Sequence, residues 1–158
     1  MILVSVGTTI PFDDLISEVD RLCAVGFFHE DVVCQIGRST YAPQNCEYFR
    51  NKPNLERDFF LADGLIVHGG TGSTIQALCA QKPFVAVANA LAQDDHQADF
   101  LTTLSAEYDF VWTRDPGELG HLWPRAVEKQ KSVQDVSENV DWLVDRILTV
   151  AQTERKNT

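Results

Sequence analysis

The chain has 158 residues, of which 44% are hydrophobic and 23% are charged, and this balance is typical of one soluble globular domain with a packed core. The formal net charge of −10 argues against binding to nucleic acid or to an anionic lipid surface, because both require clustered Lys and Arg. No apolar run approaches the roughly 20 residues of a membrane span, and the first residues lack the basic and long apolar parts of a signal peptide. We therefore expect one domain over residues 1–152 and a polar tail over residues 153–158.

Short apolar runs alternate along the chain with segments of helical periodicity. Strands are predicted at residues 2–6, 31–36, 64–67, 84–88 and 110–112. Helices are predicted at residues 12–25, 73–81, 95–104, 116–131 and 137–152, with Pro124 as a point where the fourth could break. The pattern of residues 48–60 is mixed, and we predict a short helical piece, a strand near residues 55–58 and a turn of helix that leads into Ala62.

The four cysteines have neither CxxC spacing nor a histidine at zinc-finger spacing. They are Cys23, Cys34, Cys46 and Cys79. Because no export signal is evident, we expect reduced thiols that pack as small apolar side chains.

The central strands are continuously apolar, which is typical of a parallel sheet covered by helices on both faces. The predicted fold class is therefore α/β, with a Rossmann-like parallel sheet. Ligands in such sheets bind at the carboxyl ends of the strands. Polar loops at residues 7–9, 68–74 and 89–97 each follow a strand, so we expect them at one edge of the sheet, where they would form a site.

The strand at residues 64–67 leads into a turn that is rich in glycine and hydroxyl side chains. The turn contains Gly69, Gly70, Thr71, Gly72, Ser73 and Thr74. A turn of this kind at a helix N-terminus directs unpaired backbone N–H groups and the positive end of the helix dipole at one point, and this favours an anion such as phosphate. A tight turn with a hydroxyl cap explains the same residues about as well.

Taken together, these segments resemble the C-terminal, donor-binding half of the family 28 glycosyltransferases, which have the two-domain GT-B architecture. The matching segments are VSVGTT followed by FDDLI, then QIG, ADGLIVHGGTGS, AL leading to KP, and DHQ. They follow one another in the family's order over residues 1–100, whereas the last third of the chain matches only as a pair of helices. The likeness is greatest to the small subunits of two-component glycosyltransferases. These include bacterial exopolysaccharide enzymes of the PssE/EpsF type and the eukaryotic enzyme that adds UDP-GlcNAc-derived sugar to a dolichol-linked acceptor.

The resemblance implies a UDP-sugar-binding catalytic subunit that transfers a hexose, with inversion, to a polyprenyl-diphosphate-linked acceptor in polysaccharide synthesis. A membrane-associated partner subunit would supply the acceptor site and the general base. We therefore expect this subunit to be cytoplasmic and held at the inner face of the membrane through that partner. No metal and no other cofactor is expected, since backbone N–H groups, hydroxyls and the helix dipole would carry the charge of the diphosphate.

The resemblance also assigns candidate roles to individual residues. Donor diphosphate binding falls to Gly7, Thr8, Thr9, His68, Gly70, Thr71, Gly72, Ser73 and Thr74. Ribose binding falls to Gln76, where the larger family often has Glu or Asp, and donor-sugar binding to Asp95, His96 and Gln97. For His68 the role is a diphosphate contact or an organiser of the loop, and the structural alternative is a partly buried histidine bonded to backbone. The structural alternatives for the other residues are a capping box of Ser73 and Gln76, and Asp94 or Asp95 as a helix N-cap.

Two other functions remain open on the sequence alone. One is a nucleotide-sugar-binding regulatory module without transferase activity. The other is a self-sufficient homodimeric GT-B-like enzyme, which would need an acid or base of its own among His29, His68, His96, His121 and the acidic residues. We favour the two-component subunit, because the sequence from its first strand to its last helix offers no segment for an acceptor domain.

Overall fold

The structure is a computed structural model, and it describes residues 1–92 and 95–132. The predicted helix at residues 137–152, the polar tail, and residues 93–94 of the predicted loop 89–97 lie outside the described residues.

Six parallel strands form one sheet in the order β3-β2-β1-β4-β5-β6. The strands are β1 (Ile2–Ser5), β2 (Val32–Gln35), β3 (Glu47–Phe49), β4 (Gly64–His68), β5 (Phe84–Val87) and β6 (Val111–Thr113). The helices are α1 (Asp13–Ala24), α2 (Glu56–Leu61), α3 (Thr71–Ala80), α4 (His96–Glu107) and α5 (Leu119–Ser132), with a 3₁₀ turn (Pro116–Glu118) before α5. The order is that of a doubly wound Rossmann-like sheet, as predicted.

The hydrophobic core has two layers, one on each face of the sheet. Val4 and Val85 face the layer shared with α1 and α5, whereas Leu3 and Leu65 face the layer shared with α2, α3 and α4. Because alternate strand residues point to opposite faces, a strand that is apolar throughout can fill both layers. This is why the four central strands could be predicted within a residue or two of their ends.

The strand predicted near residues 55–58 is wrong. The third strand is Glu47–Phe49, and Glu56–Leu61 forms α2, where the Asn54 side chain accepts a hydrogen bond from the Glu56 N–H. β3 is an edge strand that pairs only with β2, and Glu47 and Tyr48 are exposed. An edge strand of this kind carries no apolar pattern that would reveal it.

The break at Pro124 does not occur, and α5 continues through it. Leu122, Trp123 and Ala126 are buried in the layer beneath α5. Proline removes one backbone donor from the helix, but packing of its neighbours on the sheet holds the helix together.

The switch point of the sheet lies between β1 and β4, where the winding direction reverses. The two strands are paired in parallel, with Ser5 opposite Val67. Residues that leave the carboxyl end of β1 therefore lie beside those that leave β4, and crevices at such a point are where ligands bind in this class of sheet.

Candidate functional site

A cavity of about 500 Å³ opens at this switch point. Among the predicted site residues, its lining includes Gly7, Thr8, Thr9, His68, Gly70, Gly72, Ser73, Gln76 and Gln97. The expectation that the three polar loops meet at one edge of the sheet is thus confirmed in the geometry. The described residues that line the cleft include no Asp, Glu, Lys or Arg, so an anion would meet neutral donors here.

Helix α3 begins at the floor of the cleft. Its N-cap is Gly70, and the first backbone hydrogen bond of the helix runs from the Thr74 N–H to the Gly70 carbonyl at 3.0 Å. The N–H groups of Thr71, Gly72 and Ser73 therefore have no acceptor within the helix and add to the positive end of its dipole. A Cβ built on Gly72 meets nothing within 4 Å, so this stretch of backbone is open to a ligand.

The capping-box alternative for Ser73 and Gln76 is wrong. Ser73 is the third residue of α3 rather than its N-cap, and no side chain caps the helix. The Ser73 hydroxyl pairs instead with His68 Nε2 at 2.9 Å, and Gln76 is exposed at the rim of the cleft. Both side chains are thus available for roles other than capping.

His68 ends β4 and lies between the two glycine turns. Its Nδ1 accepts a hydrogen bond from the Gly70 N–H at 3.2 Å, in addition to the pairing of Nε2 with Ser73. Burial lowers the pKa of His68 to about 4, because the charged ring would lose its hydration. The ring is therefore neutral at physiological pH, and it both organises the loop and bonds to backbone, which the sequence had left as alternatives.

Two glycines are required by the position of this ring. A Cβ on Gly7 would lie 2.6 Å from His68 Nε2, and a Cβ on Gly70 would lie 2.3 Å from His68 Cε1. Gly7 also has φ of +77°, a conformation that side chains other than glycine rarely adopt. The turns after β1 and β4 can approach each other only because neither carries a side chain at these positions.

Gln35 was not predicted as a site residue, yet it holds the Gly7 turn in place. The side chain is fully buried; its Oε1 accepts from the Gly7 N–H at 3.2 Å, and its Nε2 donates to the Gly7 carbonyl at 2.8 Å. The same amide accepts from the Ser5 hydroxyl and donates to the Arg50 carbonyl. The available signal was a glutamine between Cys34 and Ile36 in a buried strand, since a buried amide must find partners.

Asn89 is a second residue that the sequence did not assign. Its side chain donates to the Pro11 carbonyl at 2.9 Å and accepts from the Leu91 N–H, and its own N–H donates to Gln97 Oε1 at 2.8 Å. Asn89 thus connects the loops after β1 and β5 with the start of α4. Because one lone pair of Gln97 Oε1 is already used, the two Nε2 protons are the groups of this amide that have no partner among the described residues.

Four predicted residues lie outside the lining of the cleft. Thr74 is buried, and its hydroxyl donates to the Gly70 carbonyl at 3.0 Å. Thr71, Asp95 and His96 are exposed, and Asp95 forms an ion pair with Arg114 at 2.9 Å. The N-cap alternative for Asp95 is wrong in its chemistry: the residue precedes α4 but makes no side-chain cap. Asp94 lies outside the described residues.

Within the described residues, neither a metal-binding cluster nor a membrane-spanning helix is found. Within residues 1–92 and 95–132, no cluster of three or more His, Cys, Asp or Glu side chains is placed to hold a metal ion. No helix in these ranges has both the length and the apolar character required to span a membrane.

A doubly wound sheet with a helix N-terminus opening at its switch point defines the class of nucleotide-binding α/β domains. The glycosyltransferase family 28 C-terminal domain matches residues 1–153, and the chain belongs to this family. The resemblance that the sequence motifs indicated is therefore confirmed.

Individual relatives point the same way. The human UDP-N-acetylglucosamine transferase subunit ALG13 is 32% identical over 119 residues, which cover 67% of this chain and 10% of that protein. The mouse protein of the same name is 33% identical over 117 residues, again with 10% of its length covered. The chain thus spans about a tenth of the length of these relatives.

Solved structures share the fold at lower identity. MurG of Acinetobacter baumannii matches with a TM-score of 0.58 and 18% identity, over 93% of this chain and 49% of that one. An NMR solution structure of ALG13 matches with a TM-score of 0.52 and 20% identity, over 89% and 92% of the two chains. The fold is that of a GT-B half, as expected from the sequence.

Proposed function

We propose that the chain is the UDP-sugar-binding catalytic subunit of a two-component, inverting glycosyltransferase. A membrane-associated partner supplies the acceptor site and the general base, and the acceptor is a saccharide linked to polyprenyl diphosphate. The observation that carries the proposal is the cleft at the β1–β4 switch point, in a family 28 chain, with the free N–H groups of α3 at its floor. The names of the human and mouse relatives support UDP-N-acetylglucosamine as the first donor to test.

In the proposed reaction the chain binds the donor and stabilises the departing nucleoside diphosphate. The N–H groups of Thr71, Gly72 and Ser73 are placed to meet the phosphate oxygens, and they need no reorganisation as negative charge develops on the leaving group. Gln76 on α3 and Gln97 on α4 also line the cleft, where we expect them to meet the ribose and the donor sugar, respectively. We expect no metal requirement.

Three of the four histidines considered as general bases are poorly placed within the described residues. His29 lines a different cavity, at the amino end of β2, and His121 is exposed on α5. His68 lies in the cleft, but both of its ring nitrogens are already hydrogen-bonded. This supports a base on the partner chain rather than a self-sufficient enzyme.

Calorimetric titration of the pure chain with UDP and UDP-N-acetylglucosamine tests the donor site. Transfer to a polyprenyl-diphosphate-linked saccharide, measured with and without a membrane-associated partner, tests the two-component reaction. We expect binding without turnover by the chain alone, and turnover once the partner is present. Turnover by the pure chain would establish the self-sufficient enzyme, and binding without turnover with every partner tried would favour a regulatory module.

A further inference from the structure

We propose that His68 acts through Ser73: the neutral imidazole holds the Ser73 oxygen as an acceptor, so that the Ser73 hydroxyl proton is directed to a phosphate oxygen of the donor. His68 is then a positioning residue rather than a phosphate ligand. The inference rests on the proposed function and specifies how the diphosphate is recognised.

The hydrogen bond from the Gly70 N–H determines which nitrogen of the His68 ring carries the proton. A backbone N–H can only donate, so Nδ1, which lies 3.2 Å from the Gly70 nitrogen, must carry a lone pair. In a neutral ring the proton is then on Nε2, the nitrogen that lies 2.9 Å from Ser73 Oγ. The direction of the second bond follows: Nε2–H donates and Ser73 Oγ accepts.

The Ser73 hydroxyl consequently keeps its single proton for another partner. A helical Ser or Thr usually donates its hydroxyl proton to a carbonyl in the preceding turn. Thr74 does this with the Gly70 carbonyl, which the Thr74 N–H also uses. Ser73 instead lines the cleft, and no acceptor for its proton exists among the described residues.

Burial keeps this arrangement in one state. The pKa of His68 is about 4 because the ring is desolvated, so protonation of Nδ1 does not compete at neutral pH. The ring also has little room to rotate, since Gly7 and Gly70 lie directly against it.

Long-range ¹H–¹⁵N NMR of the free chain tests the tautomer without any ligand. We expect the His68 signals of a neutral ring protonated at Nε2 between pH 5 and pH 8, a window about one unit or more above the pKa of the ring. A ring protonated at Nδ1, or a charged ring at pH 7, overturns the inference. This measurement is independent of whether the chain binds UDP.

Binding of UDP and of inorganic pyrophosphate to four variants tests the role of the pair. Ser73→Ala and His68→Ala should each weaken binding about tenfold, and the double variant should lose no more than either alone, because the two residues act as one unit. His68→Gln, which keeps a donor near the Nε2 position, should recover part of the affinity. Ser17→Ala, which removes an exposed helical hydroxyl bonded to the Asp14 carbonyl, is the control.

The possible outcomes are distinct. Additive losses in the double variant would show that His68 contacts the phosphates directly and would overturn the inference. Unchanged affinity in Ser73→Ala, with the same unfolding midpoint as the parent, would do so as well. If the unaltered chain bound neither UDP nor pyrophosphate, the proposed function and the phosphate-directing role of Ser73 would both be wrong. The tautomer of His68 would still be decided separately by the NMR measurement.

A separate observation concerns a thiol cluster at the opposite edge of the sheet. Cys34 Sγ lies 3.6 Å from Cys46 Sγ, and Cys46 also contacts Cys23. Cys23 and Cys46 line a second cavity, near the amino end of β2, whereas Cys34 is buried beneath them. Cys46 lines this cavity whereas Cys34 does not, and the hydrogen bond from Cys34 lowers the pKa of the Cys46 thiol, so Cys46 is the attacking thiol of the pair.

We infer that Cys46 and Cys34 form a dithiol that hydroperoxides oxidise to a disulfide. The Cys46 thiolate attacks the terminal oxygen of ROOH; an S–O bond forms, the O–O bond breaks, and the leaving oxygen takes a proton to depart as ROH. Cys34 then attacks the sulfenic sulfur; an S–S bond forms, the S–O bond breaks, and the Cys34 proton leaves with the hydroxide as water. For the S–S bond to form, the two sulfurs must approach by about 1.5 Å from their separation of 3.6 Å.

Hydrogen peroxide treatment followed by intact-mass and peptide analysis tests the dithiol. We expect a loss of about 2 Da and a Cys34–Cys46 cross-link, also in the control Cys79→Ser. In the double variant Cys23→Ser, Cys34→Ser, which removes both thiols that contact Cys46, the reaction should stop at a sulfenic acid on Cys46 that a 1,3-diketone probe captures. A cross-link between Cys23 and Cys46 that leaves Cys34 free, or an unchanged mass, would overturn the assignment.

Discussion

The cleft has two walls, and they differ in how far their polar groups are already bound within the chain. In the β1–β4 wall, made of Gly7, Gln35, His68 and Gly70, side-chain and backbone groups hold one another through bonds between 2.8 and 3.2 Å. In the α3–α4 wall, Gln76 and the Nε2 of Gln97 have no partner among the described residues. The first wall is thus preorganised, and through His68 it holds the start of α3, with its free N–H groups and the Ser73 hydroxyl, in place. The second is left with side chains that can adapt to a ribose and a sugar.

The largest effect is expected where the preorganised wall is most crowded. Gly7→Ala should lower the free energy of unfolding by about 4 kcal/mol, because the new Cβ collides with His68 and φ is +77°. Gly26→Ala is a matched control: φ is +67°, but a Cβ there meets nothing within 4 Å, so only the backbone cost of about 1 kcal/mol remains. Urea denaturation measures both, and equal costs would show that the His68 contact does not constrain the turn.

A second effect comes from the neutral ring in the same wall. The pKa of His68 is about 4 in the folded chain and near 6.5 when exposed, so the unfolded chain binds the proton more readily. The contribution of the neutral His68 ring to the free energy of unfolding is complete above about pH 6.5. It falls by about 3 kcal/mol as the pH drops to about 4.

Denaturation midpoints of the parent and of His68→Gln between pH 4 and pH 7.5 isolate this contribution, since the carboxylates titrate in both. The free energy of unfolding of the parent should fall more steeply with acid. Parallel curves would mean that the ring is exposed or already charged.

A third effect belongs to the floor between the two walls. Gly72→Leu should weaken UDP binding by a hundredfold or more, because the side chain would fill space beside the N–H groups that a phosphate needs. The unfolding midpoint should barely change, since nothing in the chain lies within 4 Å of the new Cβ. Calorimetry and thermal unfolding on one preparation measure both quantities. Normal UDP affinity would exclude this floor as the phosphate site.

The contrast between the walls also explains which features the sequence could predict. The alternation of apolar runs and helical periods, together with the rule for parallel sheets, was enough to bring Gly7, Gly70 and Gln97 to one cleft. Local patterns could not give bonds between distant residues, such as those from Gln35 to the Gly7 turn, 28 residues away. Local patterns also could not show that the Thr74 hydroxyl points into the protein while Ser73 faces the cleft. Which face of α3 is buried depends on how the helix packs on the sheet, and adjacent residues of similar chemistry carry no local signal of that packing.

The smallest effect should arise in the adaptable wall, and it distinguishes two kinds of sugar contact. The Asn89 N–H uses one lone pair of Gln97 Oε1, and both Nε2 protons are without a partner among the described residues, so we expect Gln97 to bind the donor sugar chiefly as a donor. Gln97→Ala should therefore weaken binding of UDP-N-acetylglucosamine about tenfold and leave binding of UDP almost unchanged. Gln97→Glu keeps an acceptor for Asn89 but replaces the donor with a carboxylate, and it should weaken binding of the sugar nucleotide further than alanine does.

Calorimetry with UDP and with UDP-N-acetylglucosamine measures the difference. Gln76→Ala is the comparison, since it should weaken binding of both ligands equally. If Gln97→Glu bound the sugar nucleotide better than Gln97→Ala, the sugar would be donating to residue 97, and the polarity assigned to this wall would be reversed.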